Sequence, residues 1–169
     1  TNSRDSKEII WILINLGKTV PQKIDQNIVL ITKSYSLKKS IYKFFKYLKD
    51  YILLRKDEEG INISIPGYGK YNIIKGTILK TIKSNNIKLI FTPYEAQPHQ
   101  LGIFNFINKR FKYIKTVGYI HSCLPPLPTE YFFRVGSPKK LITHGINQKN
   151  ILIEKLNWET KNIININSL

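Results

Sequence analysis

Short apolar runs of strand length alternate with helix-period segments along this chain, and no hairpin turn signal separates any two of the runs. Asn27 to Thr32, Ile87 to Thr92, Ile114 to Ile120, Lys140 to Thr143 and Asn162 to Ile166 are short, rich in β-branched residues and bounded by polar ones. Each reads as a strand, with Ile87 to Thr92 the clearest buried one. Ile9 to Leu16 has strand length but also suits the end of a helix, and Ile61 to Ile65 alternates as a half-buried strand. Strands interleaved with helices favour a mostly parallel sheet with helices on both faces, an α/β fold. The 169 residues suffice for one such domain, or for one domain plus a stub.

The helical segments have recognisable limits. Ser36 is placed to cap a helix from Leu37 to Arg55, whose Ile41, Phe44, Phe45, Leu48 and Ile52 recur at spacings of three and four. That face reads as core; a membrane headgroup interface is the competing use for Tyr and Phe beside Lys. Periodicity predicts further helices over Ile73 to Ser84, from Pro98 to about Phe111, and from Asn147 to Leu156. Pro66-Gly-Tyr-Gly69 reads as a loop whose glycine spacing fits neither a P-loop nor a dinucleotide fingerprint. Residues 123–138 hold four prolines and read as loop.

Charge narrows the partners. The net charge is +16, and of 27 basic residues four are Arg (Arg4, Arg55, Arg110, Arg134), the rest Lys. Such a surface attracts phosphorylated substrates, anionic lipid or nucleic acid. Arg, the usual bidentate reader of bases and phosphates, is scarce, and no nucleic-acid motif is present. The abundance of Ile, Lys and Asn also matches AT-rich coding, which competes as the origin of the charge. No apolar run reaches the roughly 18 residues of a membrane span. A single cysteine, Cys123, excludes an internal disulfide and fits a reducing compartment such as the cytoplasm. Nothing around Cys123 marks it as a nucleophile.

In parallel sheets, ligands bind beyond the carboxyl ends of the strands. Three polar clusters lie there: Pro93-Tyr-Glu-Ala-Gln-Pro-His-Gln100, His121-Ser122 and His144-Gly145. They include all three histidines of the chain. Glu95 at a strand end suits a general base toward a sugar hydroxyl, or else a cap for the helix that Pro98 opens. Gln97, His99 and Gln100 offer hydrogen bonds to a polyhydroxylated ligand, or to solvent. His121 could hold an acceptor hydroxyl or a phosphate, or serve structure alone. Gly145 reads as backbone freedom at a strand-to-helix turn. The histidines lack metal-ligand spacing, so no metal site is expected.

These clusters resemble a motif set of GT-B type bacterial glycosyltransferases that build surface polysaccharide, capsule and lipopolysaccharide. The family pattern reads Tyr-Glu, Gln-Pro-Trp-Glu; then Gly, Gln-His and a small hydroxyl residue; then Pro-Asp, a strand and Thr-x-Gly. Glu95, Gln97, Pro98, Gly118, His121, Ser122, Thr143 and Gly145 match it. His99-Gln100 stands where Trp-Glu is usual, and Lys139 where Asp is common. Glu95 is thereby left as the single candidate base.

The resemblance covers roughly residues 87–169. It implies two Rossmann-like halves, of which this chain would be the acceptor side. Residues 1–145 would form that domain, and 146–169 a helix and strand leading to the second. Gln97, His99, His121, Ser122, Thr143 and Gly145 would line the substrate side. The partners implied are a nucleotide-sugar, bound mainly by the other half, and a glycan or lipid-linked acceptor; no cofactor is expected. A basic surface would suit a cytoplasmic protein touching the anionic inner face of the membrane. The start at Thr1 and the lack of methionine suggest a fragment of a longer reading frame with little transferase activity of its own. A sugar-nucleotide epimerase of the same two-domain plan and a basic nucleic-acid-binding module are the alternative functions.

Overall fold

A computed structural model describes residues 9–15, 23–32, 41–42, 44–45, 48–49, 65–122, 124 and 128–166. The chain divides into two units, one ending at Lys49 and the other starting at Asp50. In the first unit, β1 (Trp11–Asn15) pairs in parallel with β2 (Ile28–Thr32). The ambiguous run after Ile9 is therefore a strand. Residues 41, 42, 44, 45, 48 and 49 are helical, within the helix predicted from Leu37; the rest of that helix lies outside the described residues. So do residues 61–64 of the strand expected before Ile65, which is itself helical.

The second unit is an α/β layer structure with a parallel sheet of four strands in sequential order. These are β3 (Leu89–Pro93), β4 (Lys115–Tyr119), β5 (Lys140–His144) and β6 (Ile163–Ile166). Registers such as Phe91 opposite Val117, Val117 opposite Lys140, and Leu141 opposite Ile163 fix which side chains share a face. Helix α1 (Ile65–Ser84) precedes β3, α2 (Pro98–Arg110) links β3 to β4, and α3 (Gly145–Lys155) links β5 to β6. One-turn 3₁₀ segments lie at Thr129–Tyr131 and Thr160–Asn162. Winding the strands in one direction with right-handed crossovers puts the linking helices on a single face. Leu101 and Phe104 of α2, Leu152 of α3, Leu141 and Ile163 accordingly share one buried cluster with Trp158. Trp158 Nε1 donates to the carbonyl of Tyr131, tying the loop after β4 to that core.

Two readings need correction. Pro66 to Gly69 is not a loop but the start of α1. A proline in the first turn lacks only an N–H that would have no helical partner there. Ile87 to Thr92 is not a strand buried on both faces. Among the described residues β3 is an edge strand, and Leu89 and Phe91 are 52% and 53% exposed on the face opposite α2 and α3. Helix α3 and β6, the segment after Gly145, pack in this same unit: β6 hydrogen-bonds to β5 and α3 contributes to the same core.

A buried polar network fastens the loop before β5. Thr116 Oγ1 donates to Asn108 Oδ1 (2.9 Å) and accepts from the Lys139 N–H (3.0 Å), while Asn108 donates onward to the Ser137 carbonyl. Thr116 is fully buried, so its hydroxyl depends on these protein partners for its hydrogen bonds.

Candidate active site

Because β3, β4 and β5 run parallel as neighbours, the polar segments that follow them meet at one edge of the sheet. The first segment is held tightly. Tyr94 continues the ladder by donating its N–H to the Tyr119 carbonyl at 2.8 Å, and its ring is fully buried. Burial pushes its phenol up to about 12, against the opposing influence of Ser137 and the Arg134 charge; the hydroxyl has no partner at hydrogen-bond geometry. Ala96 then adopts a left-handed backbone, φ +52°, with its methyl in the core. That conformation costs a non-glycine residue roughly 1–2 kcal/mol, so the surrounding structure must enforce it. Between these two anchors Glu95 turns outward.

Gln100 supplies the enforcement. Its Oε1 accepts from the N–H groups of Glu95 (3.0 Å) and Gln97 (3.1 Å), and its Nε2 donates to the Pro93 carbonyl (2.8 Å). The sequence left this side chain to a ligand or to solvent; in the structure it bonds to the backbone. The N-cap of α2 is Gln97, so Glu95 does not cap that helix. Its carboxylate lies 3.8 Å from His121 Nε2, with the two side chains about half exposed. At that separation the pair is beyond hydrogen-bond length, and each group keeps capacity toward a third. Tyr131 stands near them: burial raises its phenol first, and the negative charges of Glu95 and Glu130 raise it further.

The other two segments are joined by Gln148 in the first turns of α3. Its Oε1 accepts from the His144 N–H and its Nε2 donates to the Ser122 carbonyl, both at 3.0 Å. The His144 ring bonds to the Tyr119 hydroxyl across β4 and β5, and Tyr119 stacks on Phe91. Gly145 turns the chain into α3 with φ +75°. Comparison with family models, curated proteins and solved structures finds no match.

Of the residues singled out in the sequence, Glu95 and His121 are brought together, and Gln97 and Ser122 lie exposed in the same segments. His99 sits half-buried in the first turn of α2. Thr143 lies within β5. It is fully buried, and its hydroxyl donates to Asn165 Oδ1 across β5 and β6. Gly145 contributes a backbone conformation, not a side-chain contact. Cys123 lies outside the described residues. No three His, Cys, Asp or Glu side chains among the described residues are grouped to hold a metal ion. Sequence reasoning missed Tyr119, Tyr131 and Gln148. Gln148 stands four residues after the N-cap His144, one beyond the capping-box spacing, so no sequence signal marks it.

Proposed function

We propose that this chain is the acceptor-side, Rossmann-like part of a glycosyltransferase that passes a sugar from a nucleotide-sugar to a glycan or lipid-linked acceptor of surface polysaccharide. The observation that carries the proposal is Glu95: an outward carboxylate at a strand end, fixed through its backbone and 3.8 Å from an exposed imidazole. In this reading an acceptor hydroxyl binds beside His121 and Ser122, and Glu95 takes its proton as the oxygen attacks the anomeric carbon of the sugar and the bond from that carbon to the phosphate oxygen breaks, the nucleotide leaving with its phosphate. A carboxylate beside an imidazole has the reach and polarity for that transfer. The motif resemblance over roughly residues 87–169 supplies the substrate class. The basic surface supports work at the anionic inner face of the membrane. No helix among the described residues is long and apolar enough to cross it.

The test is a transfer assay with labelled nucleotide-sugars and saccharide or lipid-linked acceptors, run in the full-length protein. Glu95→Gln should lower the transfer rate by about 10²- to 10⁴-fold while acceptor binding persists. Equal rates in the two proteins would remove Glu95 as the base. Isomerisation of the free nucleotide-sugar without an acceptor would favour an epimerase instead.

A further inference from the structure

Two glutamines hold the candidate site, in equivalent places. Gln100 lies in the first turn of the helix after β3, and Gln148 one turn into the helix after β5. Each turns its carboxamide back onto backbone groups. Gln100 makes three hydrogen bonds to the segment that carries Glu95. Gln148 makes one to the His144 N–H and one to the carbonyl of Ser122, the residue next to His121. Neither Glu95 nor His121 has its side chain packed in the core; both are about half exposed. Their separation is therefore set by the two backbones, and the glutamines bond those backbones directly.

We propose that Gln100 and Gln148 are positioning residues that set the approach of Glu95 to His121 from opposite sides. The inference rests on the reading that these two groups act together. The chemistry of the two amides differs in a way that can be tested. At position 100, two of the three bonds use the amide oxygen as acceptor, and a glutamate could make both. At position 148, the link to Ser122 uses the amide N–H as donor, and a glutamate could not replace it.

The experiment uses the 169-residue chain and the imidazole resonances of His121, assigned by their loss in His121→Ala. Glu95→Gln is expected to move those resonances in the wild-type background. In Gln100→Met and in Gln148→Met, most of that Glu95-dependent movement should vanish, while the indole resonance of buried Trp158 stays in place. Gln100→Glu should restore the movement; Gln148→Glu should not. Should a methionine variant fail to fold, the contrast between the two glutamate variants decides. Full Glu95-dependent movement in both folded methionine variants, or equal behaviour of the two glutamate variants, would overturn the positioning role. No movement on Glu95→Gln in the wild-type background would instead defeat the pairing itself, and with it the reading of the site.

Discussion

Gly118 in β4 sits directly beneath the turn that presents Glu95, and replacing it with alanine tests that packing. An added Cβ would lie 2.9 Å from Tyr94 Cβ and 3.0 Å from both Tyr94 Cγ and Pro138 Cγ. Apolar carbons rest at about 3.5–4.0 Å, so each neighbour would have to retreat by roughly 0.5–1 Å. Neither can do so freely: Tyr94 and Pro138 are both fully buried, and the Cβ of Tyr94 moves only with its backbone. Overpacking of this kind costs about 1–3 kcal/mol. Against it stands the usual gain of about 0.5–1 kcal/mol when a strand glycine becomes alanine. The clash wins, because all three contacts fall on groups held in place. The expected net loss is about 1–2 kcal/mol, or roughly 2–8 °C in Tm. Urea unfolding followed by the fluorescence of buried Trp158 measures it, in a Trp11→Phe background because Trp11 belongs to the other unit. A Gly118→Ala chain as stable as its parent would refute the close packing of Tyr94 on β4.

Other perturbations separate different forces. Gly145→Ala meets no atom within 4 Å, so its cost should be the left-handed backbone alone, about 1 kcal/mol by the same unfolding assay. Thr116→Val keeps the shape but strands the Lys139 N–H and the Asn108 carbonyl oxygen, and should cost about 1–3 kcal/mol. Tyr94 ionises near 10 when unfolded and at about 12 when folded, so between those values the unfolded chain holds fewer protons. Stability should therefore fall as pH rises from about 10 to about 12, by up to roughly 2–3 kcal/mol. Tyr94→Phe should abolish that part of the loss and remove a phenolate that titrates at about 12 from the ultraviolet absorbance titration.

The parallel arrangement of β3, β4 and β5 was legible because each is a short apolar run followed by a polar cluster and then a helix or a proline-rich loop. From that arrangement alone came the meeting of Glu95 and His121 at one edge. The start of α1 was not legible, since Pro66, Gly67 and Gly69 in sequence look like punctuation whether or not a helix surrounds them. Nor was the exposure of Leu89 and Phe91, because an apolar run does not state how many neighbours its strand will have. The hydrogen bonds of Gln100 and Thr143 were not legible for one reason. Both are polar residues at a strand end or helix start, and whether such a group faces ligand or backbone depends on conformation. The left-handed turn at Ala96 brings the backbone round to Gln100, and the β5–β6 register brings Asn165 to Thr143. Neither leaves a mark in residue type.

Acceptor binding tests the central claim most directly. Saturation-transfer NMR between the 169-residue chain and a panel of oligosaccharide acceptors reads it without requiring transfer. The account predicts transfer to the sugar protons that survives in Glu95→Gln, since the base acts in the transition state, and that is lost or sharply reduced in His121→Ala. Undiminished saccharide binding in His121→Ala, or none in the wild-type chain, would contradict it.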